Sequence, residues 1–121
     1  MRCLKGLGIF LGIMMLAAMA VAATNSMGIH DISRVTFVAP MHVGTVVLPA
    51  GDYVVRHTMQ GSEHIMVFER ARSKDRFKVK CTLMPLSQKA ERDQTIYVLN
   101  AQDQRELQEL VFKGDSAKHI F

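Results

Sequence analysis

Arg76-Phe77-Lys78-Val79-Lys80-Cys81-Thr82-Leu83-Met84 is the stretch that decides the fold. Phe77, Val79, Cys81 and Leu83 alternate with Arg76, Lys78, Lys80 and Thr82. Successive side chains of an extended chain point to opposite faces, so a period of two sends the first set to a core and the second to water. The spacing predicts a strand over 76–84. Pro85 ends it, because proline has no amide to give to a ladder.

Outward from this segment the chain reads as further strands separated by turn chemistry. Ser33–Val38 alternates Val35 and Phe37 with Arg34 and Thr36, and Ala39-Pro40 stops it. His42–Leu48 is β-branched and apolar. Pro49-Ala50-Gly51-Asp52 is a turn signal, so 43–48 and 53–59 are predicted to form a hairpin. Gln60-Gly61-Ser62-Glu63 makes the next turn and leads into His64–Arg70. Ala71–Asp75 is a charged loop, Ser87–Asp93 a polar connection with room for a helical turn, and Thr95–Asn100 another strand. Arg105–Phe112 carries Leu107, Leu110 and Val111 at a spacing open to helix or strand and is assigned as strand; Ala117–Phe121 adds a short final strand. The total is six to eight strands with turns every eight to twelve residues. The expected class is all-β, an antiparallel β-sandwich or small barrel.

The first 23 residues have a different character. Arg2 and Lys5 precede an uncharged apolar run from Gly6 to Val21, and Ala20-Val21-Ala22 fits the small-x-small pattern of signal cleavage. The run is about 16 residues, short of the roughly 20 that a spanning helix needs. Residues 1–23 therefore read as a signal-peptide helix and 24–121 as a single β-rich domain, secreted or periplasmic, with no transmembrane segment after cleavage. The chain holds 15 basic and 11 acidic residues. Without Arg2 and Lys5 the net charge falls from +4 to +2, which weakens a whole-protein argument for a polyanion partner, and outside a cell no nucleic acid is expected. Cys81 is the one cysteine after the leader, so no internal disulfide staples the domain.

Val35-Thr36-Phe37, Val46-Val47-Leu48-Pro49-Ala50-Gly51-Asp52-Tyr53, His64-Ile65-Met66-Val67-Phe68 and Phe112-Lys113-Gly114-Asp115 occur in that order. In this combination the chain resembles small secreted bacterial β proteins, acidobacterial in type, that carry a Leu-Pro-Ala-Gly-x-Tyr turn. The resemblance implies secretion and a β fold and brings no activity. Asp52 stands where that group usually has Thr, and Leu110-Val111 where it has an aromatic pair.

Three sets of residues compete as a site. Arg70, Arg72, Lys74, Arg76, Lys78 and Lys80 recur at every second position, a ladder that on extended chain would face phosphates or sulfates; Arg72, Lys74, Arg76, Lys78 and Lys80 are its ligand-binding candidates. The competing reading is a solvated strand face. Of five histidines, His57 and His64 can meet across the Gly61 turn, with Glu63 or His42 as company, while His30 and His119 stand singly. A metal needs three or more converging ligands, and no His-x-His, Cys-x-x-Cys or His-Glu-x-x-His is present, so no metal or other cofactor is expected. Met41, Met59, Met66 and Met84 read as core filler and Cys81 as a buried structural thiol. No paired acids, nucleophile motif or phosphate loop marks an enzyme.

The sequence thus points to a secreted, non-catalytic binding or interaction domain of the bacterial envelope. Its partner is an envelope protein, or an anionic glycan or lipid headgroup on the basic strand. A small metal-dependent enzyme or metal carrier is the third reading, with His57 and His64 as its residues.

Overall fold

A computed structural model describes residues 27–121; the leader expected over residues 1–23 lies outside the described residues. Nine strands follow one another: β1 Ile32–Phe37, β2 Met41–Val43, β3 Val46–Leu48, β4 Gly51–Gln60, β5 Glu63–Arg70, β6 Arg76–Pro85, β7 Gln94–Leu99, β8 Arg105–Val111 and β9 Ala117–Ile120. They form one mixed sheet in the order β1-β4-β5-β6-β9-β8-β2-β3, with β7 paired to β8. The all-β expectation holds, but three of its details do not. The described residues form nine strands, more than the six to eight expected. β2 runs parallel to β8, so the sheet is not purely antiparallel. The sheet is also not closed: among the described residues β1 pairs with β4 alone and β3 with β2 alone, which excludes the barrel.

The alternation of β6 is observed as predicted. Val79 is buried and Phe77, Cys81 and Leu83 half-buried, while Arg76, Lys78, Lys80 and Thr82 are exposed. The strand changes partner along its length. Residues 76–81 pair with β5, and Thr82–Pro85 pair with β9.

The predicted 43–48/53–59 hairpin is not formed. Gly44 adopts φ 60°, a conformation open to glycine, and reverses the chain inside the β-branched run. The run therefore makes its own hairpin, Met41↔Leu48 to Val43↔Val46. β4 is left to pair with β1 and β5. The turn at 60–63 falls where the sequence placed it, with Gly61 at φ 64° joining β4 to β5. Residues 105–111 are strand, and 86–93 contain no helix.

The inner face of β4, β5 and β6 gathers Tyr53, Val55, Met66, Phe68 and Val79 against Met41, Val43, Leu48, Leu107, Leu110 and Phe112 in one cluster. Its aromatic end is a set of tilted rings. Tyr53 lies 5.6 Å from Phe37, 6.3 Å from Phe68 and 6.4 Å from Phe77, centroid to centroid. The Tyr53 hydroxyl donates to the Pro49 carbonyl at 2.5 Å, which ties the 49–52 turn to this end. Met41 and Met66 pack in the core as expected, whereas Met59 and Met84 are each 47% exposed, because both stand at strand ends outside the cluster.

Phe68 has no exposed surface. Phe68→Ala is expected to lower stability by about 3–5 kcal/mol, through lost burial and the cavity left behind. Ile96→Ala, at a residue 39% exposed on β7, should stay within about 0.5 kcal/mol. Urea unfolding midpoints of the two variants test the assignment of the core.

Candidate metal centre

At the other end of the same inner face the side chains are imidazoles. β4 runs Tyr53, Val55, His57 on its buried side. β5 contributes His64, which sits opposite Cys81 of β6 in the register. β9 contributes His119, opposite Leu83. The site lies where β6 passes from β5 to β9: Cys81 is the last residue paired to β5 and Thr82 the first paired to β9.

His57 Nε2 lies 3.0 Å from His64 Nδ1, and the two ring centroids are 5.1 Å apart. The His119 ring centroid is 5.7 Å from that of His57. One donor atom each from His57, Cys81 and His119 lies within 4.8 Å of the other two. His57 and His119 are 8% and 1% exposed, and Cys81 is a half-buried free thiol. Phe112 meets the His119 ring edge-on at 5.5 Å. A groove of about 360 Å³ lined by Ser62, Glu63, His64, Cys81 and Phe121 leads from solvent to the thiol.

The electrostatics favour uncharged ligands. Burial, and then the neighbouring His119 and His64, hold the His57 pKa below its ordinary value, with Asp31 and Asp115 pulling weakly the other way. Burial pushes the Cys81 thiol up to about 11, so at neutral pH it is an S–H and a poor nucleophile. A cation would reverse this, since metal coordination displaces the thiol proton. His119 Nδ1 is buried and, among the described residues, has no hydrogen-bond partner. Buried ring nitrogens are ordinarily paired, so an orphan nitrogen on a ring that neighbours a thiol and a second imidazole fits an ion.

The distances suit a small tetrahedral ion. Zinc–nitrogen bonds of about 2.0–2.1 Å place two imidazole nitrogens roughly 3.3 Å apart. His57 and His64 stand close to that edge, and the His57, Cys81 and His119 donors, within 4.8 Å of one another, would draw in by up to about 1.5 Å around the ion.

The sequence brought His57 and His64 together correctly but took His119 as isolated. His119 reaches them only through the β6–β9 pairing, which no local signal announces. Cys81, read as a structural thiol, stands among the donors. His42 lies on β2, paired with Val47 and Glu106, and Glu63 pairs with Lys80 at 3.3 Å on the groove rim.

The basic run is not the single ladder that its spacing suggested. The chain reverses over Ala71–Asp75, so Arg72 and Lys74 lie in a loop, with Arg72 at φ 61°. Arg70 instead donates to the Ala50 carbonyl at 3.1 Å. Arg76, Lys78 and Lys80 do share the outer face of β6. Glu69 lies 3.9 Å from Arg76 and holds Arg56 at 2.7 Å, and Glu63 takes Lys80. Lys78 and Lys80 stand opposite Val67 and Ile65, which are 8% and 6% exposed, so their stems flank apolar surface.

No family model matches the chain, and neither a curated protein nor a solved structure shows significant similarity to it.

An imidazole whose folded pKa lies below its unfolded one contributes stability above the unfolded value, about 6.5, and that contribution is lost as pH falls toward the folded value. The metal-free protein should therefore lose stability from about pH 6.5 downward, with His57 adding a slope of up to about 1.4 kcal/mol per pH unit. His57→Gln should flatten this part of the profile. Urea melts at pH 7.5, 6.5 and 5.5 in chelator check it.

Proposed function

We propose that this chain is an extracytoplasmic, non-catalytic binding domain whose bound species is a borderline-to-soft transition-metal ion, zinc(II) or copper(I). The observation that carries the reading is the convergence of His57, Cys81 and His119 donor atoms within 4.8 Å, with His64 3.0 Å from His57 at the mouth. Thiolate and imidazole together select zinc and monovalent copper over hard cations. The groove beside His64 and Cys81 supplies an entry path.

A carrier or structural role fits better than catalysis. Three protein donors converge, and His64, 3.0 Å from His57, stands near enough to serve as a fourth if it swings toward the ion, which would close the shell. A location outside the cytoplasm rests on the leader reading of residues 1–23. There an unpaired thiol is protected by burial or by an ion. The ligands stand on β4, β6 and β9 rather than on loops, which favours a fixed geometry.

Anaerobic titration of the reduced, metal-stripped protein with cobalt(II) tests this. One equivalent should produce tetrahedral ligand-field bands and a thiolate-to-cobalt charge-transfer band, both discharged by zinc. Cys81→Ser should remove the charge-transfer band, and His119→Ala should weaken binding. Zinc at a hundredfold excess over Kd should raise the melting temperature by roughly 10–20 °C. Absence of bands with cobalt, and of any thermal shift with zinc or copper(I), would overturn the reading.

A further inference from the structure

Asp115 lies in the turn between β8 and β9 and has no exposed surface. Its Oδ1 accepts from the His30 backbone N–H at 3.0 Å and meets His30 Nδ1 at 2.5 Å. Its Oδ2 is buried with no hydrogen-bond partner among the described residues and lies 3.9 Å from His119 Nε2. A fully buried carboxylate with a bare oxygen is costly, and so is a buried imidazole with a bare nitrogen. Here the two stand side by side.

The same carboxylate holds the segment before β1. The Ser116 amide donates to the Gly28 carbonyl at 2.6 Å. Gly114 sits beneath His30 so closely that a Cβ there would come within 3.2 Å of the His30 ring. One residue beyond His30, the Asp31 carbonyl accepts from the His57 amide at 2.9 Å. Residues 28–31 thus form a strap with one attachment at Asp115, next to His119, and the other on the backbone of His57. Those are two of the three converging donors, carried on strands that do not pair with each other.

We infer that Asp115 is the positioning residue for His119 as a metal ligand, and that it couples occupancy of the site to seating of the Gly28–Asp31 strap. This rests on the metal-binding reading above. When the His119 nitrogen without a partner, Nδ1, donates to the ion, the ring proton resides on Nε2, which faces Asp115 Oδ2. The ion then satisfies Nδ1, and closure of the Nε2–Oδ2 gap to hydrogen-bond length satisfies the carboxylate oxygen. A ligating imidazole whose other nitrogen donates to a carboxylate is fixed in tautomer and orientation, and loss of such a carboxylate costs metal affinity by about 10–100-fold. Coupling is reciprocal: what the strap adds to metal affinity, the metal adds to strap protection.

Asp115→Asn tests the inference, because it keeps the shape and removes the charge. The variant should bind zinc about 10–100-fold more weakly than the parent, with an altered cobalt ligand-field spectrum. A merely structural carboxylate would lower the melting temperature and leave the affinity and spectrum of the folded protein unmoved. Hydrogen exchange of the unsubstituted protein supplies a second readout that does not depend on the variant folding. Zinc should slow exchange of the His30 and His57 amides, whose acceptors are Asp115 and the strap carbonyl. Equal zinc affinity and an unchanged cobalt spectrum in Asp115→Asn would overturn the positioning role while the metal site stands. Zinc binding without added protection at His30 and His57 would overturn the coupling. Failure of the unsubstituted protein to bind cobalt or zinc at all would instead sink the metal reading, and this inference with it.

Discussion

Strand β6 serves two partners in succession, and the rest of the structure depends on that. Its first six residues pair with β5 and its last four with β9. The pairing joins the β1-β4-β5 part of the sheet to the β9-β8-β2-β3 part. It also fixes chemistry at the point of change. Cys81 ends one ladder opposite His64, Thr82 begins the other, and His119 stands opposite Leu83, the next residue on the same face as Cys81. A register shift of one residue in β9 would turn His119 to the opposite face, because the side-chain period of a strand is two.

The inner face is divided along its length. One end is filled by Phe37, Tyr53, Phe68 and Phe77, whose rings lie 5.6–6.4 Å apart. The other end closes with His57, His64 and His119. Three imidazoles, with His57 in contact with the other two, are a poor substitute for apolar packing, since each ring presents a nitrogen that needs a partner. Among the described residues His119 Nδ1 has no hydrogen-bond partner, and neither has Asp115 Oδ2 beside the same ring. An ion bound through the first and a hydrogen bond closed at the second account for both together.

Legibility in the sequence followed the range of the interaction. The alternation over 76–84 and the turn at Gly61 are local, and both stand as read. So does the meeting of His57 and His64, which are joined by that turn. The β-branched run 42–48 reads as one strand, but a glycine inside it outweighs its propensity: at φ 60° Gly44 folds the run on itself. The basic ladder is broken because alternation in sequence does not survive a chain reversal, and residues 71–75 form one. His119 and Asp115 could not be reached by pattern at all. Their roles come from β6–β9 pairing and from contact with His30, which is 85 positions from Asp115.

X-ray absorption at the zinc edge of the zinc-loaded protein addresses the central claim most directly, since it reads the ligand atoms themselves. The account predicts a first shell with one sulfur at about 2.3 Å and imidazole nitrogens at about 2.0–2.1 Å, with the sulfur contribution lost in Cys81→Ser. A first shell of oxygen and nitrogen alone would contradict it, because the ion would then be bound somewhere other than at the junction of β4, β6 and β9.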